Sequence, residues 1–368
     1  MSNSRNSWVR PDIAAMDAYT PIQPFEVLSE RLGREVEEIT KLDANENPYG
    51  PSPAALQAIA DERWFHIYPD PEAGALRRAL ATYHDFPTER LMAGMGADEL
   101  IDLVLRALLS PGEMVINCPP SFGMYPFSTD VNMGLIISVP RRADFSLDVE
   151  AVKTAVESNP LAKVLFVCSP NNPDGSLVSD ADLLSLLELP LLVVLDEAYV
   201  EFAQAGGHQS RLKWALEHDN LVVLRTFSKL AGLAGLRVGY GAFPEWLLPH
   251  LWKIKQPYNV NVAASCAAIA SLQEPSWMQE KVRLLVAERE RMARVLAQYD
   301  FLRPYPSQSN FVLFEVWGRS ARQLKEDLAA AGILVRYFDK PGLNNCIRIS
   351  AGRPQDTDRL IAALSRLA

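Results

Sequence analysis

The sequence predicts an α/β protein with a large domain, whose mostly parallel central sheet is flanked by helices, and a smaller C-terminal α+β domain. Helical patterns alternate with short apolar runs between residues 54 and 224, which is typical of parallel strands crossed by helices. Near residue 275 the pattern changes, and a long charged segment follows. The length of 368 residues also exceeds what one hydrophobic core normally supports, so two domains are expected.

Residues 1–40 are predicted to form an N-terminal arm with a short helix. Pro11, Pro21 and Pro24 interrupt this segment, and residues 25–33, FEVLSERLG, are typical of an amphipathic helix that ends at a glycine. The arm has no core of its own. We therefore expect it to pack on the small domain or on a partner subunit.

Residues 41–275 are assigned to the large domain. The periodic segment 98–109 predicts a helix that follows a glycine-containing loop. Apolar runs predict buried strands, at 114–118, 134–139, 163–168, 191–195 and 221–224. Strands of this kind, separated by helices, align in parallel, and their carboxyl ends meet at one edge of the sheet.

Residues 276–368 are assigned to the small domain. A charged helix is predicted over residues 277–299. It is followed by further predicted elements, a strand at 310–315, a helix at 321–331, strands at 333–337 and 346–350, and a helix from residue 356. This order gives a compact α+β unit.

Composition favours a soluble protein of a reducing compartment. The formal net charge is −9, and no run of lysine or arginine exceeds a pair, so a nucleic-acid partner is not expected. The four cysteines, Cys118, Cys168, Cys266 and Cys346, lie far apart, so we expect free thiols and no metal site. The N-terminal residues lack the apolar core of a signal peptide, and no stretch approaches the ~18 apolar residues of a membrane span. We expect a cytoplasmic protein that does not contact membranes.

Two residues indicate the chemistry. Lys229 lies in the segment 226–237, TFSKLAGLAGLR, and an apolar run over residues 189–195 ends in Asp196. A lysine amine of lowered pKa can condense with an aldehyde, and a buried aspartate can keep the ring nitrogen of pyridoxal phosphate protonated. Singly, Asp196 is also compatible with a helix N-cap and Lys229 with a solvated loop. Together they predict a pyridoxal-phosphate enzyme.

Further candidates lie at predicted strand ends. Ala97 and Asp98 open a helix after a glycine loop, where backbone amides can bind a phosphate. Phe122 can stack on an aromatic cofactor, and Asn172 offers an amide to a phenolic oxygen. Each has a simpler alternative, respectively a turning glycine loop, a core aromatic side chain and an Asn-Pro turn.

The set of motifs resembles the fold-type-I aminotransferases, and among them the family that acts on histidinol phosphate. The resemblance runs from about Tyr19 to the C-terminus. It rests on motifs in the family's order, NENPY at 45–49, YPDP at 68–71, GADE at 96–99, SPNNPDG at 169–175, DEAY at 196–199, TFSKLAGLAGLR at 226–237 and RISAG at 348–352. Asp174 and Met95 depart from the threonine and asparagine of many relatives, which affects placement within the family more than function.

The resemblance implies a role for each cofactor residue. Lys229 would carry the cofactor and move the proton, Asp196 would pair with the ring nitrogen, and Tyr199 would hydrogen-bond the phenolic oxygen together with Asn172. Phe122 would cover the ring. The implied phosphate ligands are the Ala97 and Asp98 backbone, Thr226, Ser228, Arg237 and, from the neighbouring subunit of a homodimer, Tyr68.

The resemblance also implies the reaction and the substrate contacts. An arginine at position 348 would bind the anionic end of the amino donor, with Arg336, Tyr19 and Asn47 nearby. For histidinol phosphate that end is a phosphate ester, and a dianion favours two cations and a hydroxyl. The second half-reaction would use 2-oxoglutarate and release glutamate. Without the resemblance, the favoured interpretation of Arg336 is a strand arginine that pairs with a surface carboxylate.

Three alternatives stay open from sequence. The chain could transaminate aromatic amino acids, because an imidazole and a phenyl ring occupy similar flat pockets. It could be a decarboxylase of a phosphorylated amino acid, like the threonine-phosphate decarboxylases. A regulator built on this fold would normally carry a basic DNA-binding module, and the sequence contains no such segment.

Overall fold

The computed structural model describes residues 8–19 and 21–367. Its strands are, in chain order, β1 Thr40–Leu42, β2 Leu91–Gly94, β3 Met114–Asn117, β4 Leu135–Ser138, β5 Ala162–Cys168, β6 Leu192–Asp196, β7 Leu221–Thr226, β8 Gly239–Ala242, β9 Leu302–Pro304, β10 Phe311–Val316, β11 Ile333–Tyr337 and β12 Cys346–Ser350. Each strand predicted from the sequence corresponds to an observed one.

The helices connect these strands. They are α1 Pro11–Ala15, α2 Phe25–Leu32, α3 Pro53–Asp61, α4 Gly74–His84, α5 Gly96–Leu108, α6 Met124–Val131, α7 Val149–Glu157, α8 Asp180–Leu187, α9 Val200–Gln204, α10 Phe227–Leu230, α11 Leu248–Ile254, α12 Val262–Gln273, α13 Pro275–Leu296, α14 Ala321–Ala330 and α15 Pro354–Leu367. The predicted helices correspond to α2, α5, α13, α14 and α15, and their ends differ from the observed ends by a few residues.

The larger sheet has seven strands in the order β2-β8-β7-β6-β5-β3-β4. Strands β3 to β7 pair in parallel, whereas β8 is antiparallel to both β2 and β7. Helices cover both faces, so consecutive residues of β6 enter different cores: Val193 and Leu195 lie in one, Leu192 and Val194 in the other. The predicted mostly parallel sheet flanked by helices is confirmed.

The second sheet has five strands in the order β1-β11-β12-β10-β9. Only the β1–β11 pair is parallel. Leu42 of β1 is buried in the core of this sheet, so the predicted boundary between residues 40 and 41 falls inside a strand. The other domain boundaries stay a prediction. Helix α2 ends at Gly33, whose φ of +61° suits glycine, and its Leu28 packs against Ile39 and Leu334.

The cysteines are as the sequence predicts. All four cysteines are free. Within the described part of the chain, no helix is long and apolar enough to cross a membrane.

A buried ion pair fixes α9 to the larger sheet. Arg225 of β7 donates to Glu201 of α9, and both side chains are at least nine-tenths buried. Because removal of one partner leaves a buried charge uncompensated, we predict that Glu201→Leu lowers the free energy of unfolding by about 3 kcal/mol. Chemical denaturation measures this loss.

An exposed pair provides the control. Lys213 donates to Asp85 at the surface, so Lys213→Ala should leave the denaturation midpoint unchanged. Equal losses in the two variants would contradict the argument from burial.

Candidate active site

Lys229 lines a cavity of about 370 Å³ at the carboxyl ends of the parallel strands. Strand β7 leads directly into the short helix α10 that carries it. Its Nζ is 3.3 Å from the carbonyl oxygen of Ala44 and donates to it. Burial, together with the positive charge of Arg348, lowers the pKa of the Lys229 amine to about 8. Near neutral pH a useful fraction of this amine is therefore uncharged.

Asp196, the last residue of β6, lines the same cavity. Its Oδ2 accepts a hydrogen bond of 2.7 Å from the Tyr125 hydroxyl, and its Oδ1 accepts one of 3.0 Å from the Ala198 amide. Burial raises the pKa of the carboxyl to about 6, although these two hydrogen bonds oppose the rise. At pH 7 the carboxylate form prevails.

Tyr199, Asn172 and Phe122 line the cavity between these two groups. The Tyr199 hydroxyl accepts a hydrogen bond of 3.3 Å from Asn172 Nδ2. The Phe122 ring meets Tyr125 edge to face, with 5.5 Å between ring centres. Burial raises the pKa of the Tyr199 hydroxyl, which therefore keeps its proton.

Several groups that can bind an anion line the cavity. Ala97 and Asp98 present the N-terminus of α5, and Thr226 donates to Ser228 over 2.9 Å. Arg237 lies opposite, where its Nη2 donates to the Asp98 carboxylate at 2.9 Å. Gly96 has φ +77°, and a Cβ there would lie 2.7 Å from the Arg237 guanidinium. Glycine thus allows the arginine to approach the helix N-terminus.

Two arginines lie next to the cavity on neighbouring strands. Arg336 of β11 and Arg348 of β12 are cross-strand partners, and each guanidinium carbon is 5.6 Å from the centre of the Phe338 ring. Arg348 donates to Asn172 Oδ1 at 2.5 Å and to the Asp43 carbonyl at 2.8 Å. Burial lowers the pKa of Arg348 to about 10, and the like charge of Arg336 adds to this effect.

Like these two arginines, three further predicted residues lie outside the cavity lining of the single chain. Asn47 donates to the Leu230 carbonyl at 3.1 Å and lines an adjoining cavity of about 590 Å³, where it supports the backbone next to Lys229. Tyr68 is 79% exposed and stacks on Tyr258. Tyr19 is 44% exposed and packs edge to face on Phe127.

Sequence reasoning missed three residues at this site. Tyr125 contacts Asp196, Cys168 lines the cavity beside it, and Asn45 donates to Tyr199 at 3.1 Å. The spacing of Tyr125 from Phe122 is a weak helical signal for a shared face. Asn45 begins the NENPY motif, but the motif does not give its role, because its contacts are with residues far away in the chain.

The fold and this cavity define the class of protein. The family model for aminotransferase class I and II matches residues 37–364, and the chain belongs to this family. Solved structures agree with this assignment. The histidinol-phosphate aminotransferase of Sinorhizobium meliloti, in complex with pyridoxal-5'-phosphate, superposes with a TM-score of 0.88 at 29% identity and covers 100% of this chain and 99% of its own.

Curated relatives narrow the assignment. The chain is 52% identical over 360 residues to the chloroplastic histidinol-phosphate aminotransferase of Nicotiana tabacum, an alignment that covers 98% of this chain and 86% of that protein. It is 49% identical to the histidinol-phosphate aminotransferase of Roseiflexus castenholzii, with both chains fully covered. Within the aminotransferases, the chain therefore belongs with the histidinol-phosphate aminotransferases.

The lowered pKa of Lys229 leads to a prediction about its reactivity. In cofactor-free protein, acetic anhydride should acylate Lys229 with a pH midpoint of about 8, well below the ~10.4 of a lysine in a model peptide. Since Arg348 lowers the pKa of Lys229, Arg348→Gln should raise the Lys229 midpoint. Peptide mass spectrometry measures acylation of Lys229 in both proteins, and the same midpoint with and without the Arg348 guanidinium would contradict the prediction.

Proposed function

We propose that the chain catalyses pyridoxal-phosphate-dependent transamination of L-histidinol phosphate with 2-oxoglutarate, which gives imidazole-acetol phosphate and L-glutamate. Relatives that are 49% and 52% identical over nearly the whole chain support this assignment. The observation that carries it is one cavity in which Lys229 faces Asp196, next to the paired Arg336 and Arg348.

The cavity suits pyridoxal phosphate in both charge and shape. Backbone amides at the start of α5, two hydroxyls and Arg237 form an anion site of the kind that a phosphate prefers. The buried Asp196 carboxylate would pair with a protonated ring nitrogen of the cofactor. When bound, pyridoxal phosphate supplies an aldehyde that condenses with amines and a protonated ring that accepts electrons from a broken Cα–H bond.

Lys229 and Asp196 divide the proton chemistry between them. With a pKa of about 8, the Lys229 amine is uncharged in about one molecule in ten at pH 7, so it can act as a nucleophile and as a base. Asp196, with a pKa of about 6, is mostly ionised at that pH and stabilises a proton on the ring nitrogen. A cation beside Asp196 lowers its pKa further and strengthens this pairing.

The aromatic wall and the amides orient the reacting groups. Phe122 lies beside Tyr125 at the cavity wall, where it would cover the cofactor ring and exclude water from it. Tyr199 keeps its proton and is a donor for a phenolic oxygen, next to the Asn172 amide.

The arginine pair suits the anionic end of the amino donor. A phosphate ester carries two negative charges, and two adjacent guanidinium groups meet them better than one. Arg348 is fixed by Asn172 and by the Asp43 carbonyl, so it is placed to meet the carboxylate of glutamate or 2-oxoglutarate as well. Arg336 is assigned mainly to the phosphate, and Tyr19 to a further hydroxyl contact.

A homodimer explains the exposed apolar surface near the site. Several large apolar side chains are exposed on the loop after α3 and close to it in sequence, namely Leu56, Trp64, Phe65, Ile67 and Tyr68. A second copy of the chain that covers this surface would bring Tyr68 toward the phosphate site of its partner. The cytoplasmic location expected from the sequence stays a prediction, because the Nicotiana tabacum relative is named as chloroplastic.

The covalent attachment of the cofactor is tested at Lys229. We predict that purified protein supplied with pyridoxal phosphate shows an absorbance band that borohydride removes, and that Lys229→Ala shows no such reducible band. Lys213→Ala is the matched control and should retain the band. A reduced adduct mapped by mass spectrometry to another lysine would overturn the assignment.

Substrate choice is tested at Arg336. Because a hydrogen bond to a charged group contributes about 1.5–3 kcal/mol, Arg336→Ala should lower kcat/KM for histidinol phosphate by roughly 10- to 100-fold. The value for glutamate should change much less. Equal losses for both donors would contradict a phosphate-specific role.

Two further comparisons complete this experiment. Arg283→Ala removes an exposed arginine of α13 and should leave both donors unaffected. Phenylalanine and threonine phosphate, assayed with the unaltered protein, separate transamination of histidinol phosphate from the aromatic and decarboxylase alternatives.

A further inference from the structure

We propose that Asn45 is a positioning residue that directs the hydroxyl proton of Tyr199 into the cavity, toward the phenolic oxygen of the cofactor. This inference rests on the proposed function, because the acceptor it names belongs to pyridoxal phosphate. It adds a residue that the sequence motifs did not assign to the site.

The direction of the Tyr199 proton follows from its hydrogen bonds. A tyrosine hydroxyl has one hydrogen to donate and two lone pairs that accept. Asn45 Nδ2 donates to this oxygen at 3.1 Å, and Asn172 Nδ2 donates at 3.3 Å. Both lone pairs are therefore occupied by protein groups. The proton is left for a third direction, and Tyr199 lines the cavity.

The orientation of each amide is fixed by the partner of its oxygen. Asn172 Oδ1 faces Arg348, which can only donate, so the nitrogen of Asn172 must face Tyr199. Asn45 Oδ1 accepts a hydrogen bond of 2.8 Å from the Ser350 hydroxyl, whose oxygen accepts the Asn45 backbone amide at 2.9 Å. In this arrangement the nitrogen of Asn45 also faces Tyr199.

The backbone of Asn45 is equally constrained. Its φ is +54°, a left-handed conformation that asparagine tolerates better than most residues. Its carbonyl accepts a hydrogen bond of 3.0 Å from Asn310 Nδ2, and the residue is only 1% exposed. All four polar groups of Asn45 thus have partners, and none is free to rotate toward an alternative.

Both amides depend on one strand of the smaller sheet. Arg348 and Ser350 stand two residues apart on β12, so they share a face, and each fixes one of the two amides. Tyr199, in contrast, follows β6 of the larger sheet. Strand β12 therefore aligns the Tyr199 hydroxyl through two separate amides. Asn172 also contacts Arg348, whereas Asn45 contacts Ser350.

The pH titration of the bound cofactor's absorbance reports this alignment. Donation by Tyr199 stabilises negative charge on the phenolic oxygen, and so lowers the pKa of the nitrogen that links Lys229 to the cofactor. A carboxylate at position 45 accepts the Tyr199 proton and turns it away from the cavity. We predict that Asn45→Asp raises the pH midpoint of the cofactor's absorbance change by about one pH unit or more, and that Tyr199→Phe raises it in the same way.

Three comparisons separate alignment from charge and from folding. In a Tyr199→Phe background, Asn45→Asp should give a smaller shift than in the unaltered protein, because only the direct attraction of the added charge remains. Asn261→Asp, which replaces one good helix N-cap by another, should leave the midpoint unchanged. Ser350→Ala loosens the Asn45 amide without altering it, and should shift the midpoint in the same direction by a smaller amount.

The outcomes decide the inference independently of the proposed function. A wild-type midpoint in Asn45→Asp would overturn the role of Asn45, as would a shift of equal size in the absence of the Tyr199 hydroxyl. If the unaltered protein forms no reducible band with pyridoxal phosphate, the proposed function fails instead. Should Asn45→Asp not fold, as judged by circular dichroism, Ser350→Ala decides by the same midpoint.

Discussion

Desolvation is the constraint on which the site depends. The same cavity removes water from a carboxyl group and from an amine, which raises the pKa of Asp196 to about 6 and lowers that of Lys229 to about 8. Burial alone would neutralise both groups. Local contacts decide how far this goes, because Tyr125 and a backbone amide favour the ionised carboxylate, while Arg348 favours the uncharged amine. Acid and base chemistry near neutral pH follows from this balance.

The site is also a junction between the two sheets. Asp196 ends β6, and Lys229 lies on α10 directly after the neighbouring parallel strand β7, so both lie at one edge of the larger sheet. Arg348 and Ser350 come from β12 of the smaller sheet, and they reach Asn172 and Asn45 by hydrogen bonds. A change in the relative position of the sheets must therefore change the polar contacts around Tyr199. The proposed donor site at the arginines and the proposed cofactor site would share these contacts.

Much of this arrangement was predictable from the sequence because it depends on local patterns. Apolar runs that end in a polar residue located β6 and Asp196, and the hydroxyl-rich loop located Lys229. The antiparallel strands β2 and β8 were missed, since four residues that include glycines give little periodic signal. Asn45 was missed because its partners, Ser350 and Asn310, are distant in sequence. Asn47 was placed in the cavity by motif alone, whereas its amide faces the Leu230 carbonyl.

The pairing of Arg336 with Arg348 across β11 and β12 affects the stability of the whole small unit. Like charges directly opposite one another weaken a pair of strands. A dianion seated between them removes that repulsion, so ligand occupancy and the cohesion of these strands are thermodynamically linked. On the proposed assignment, the anionic end of the amino donor would act as the counter-ion of these two strands, and binding of the donor would stabilise the protein against unfolding.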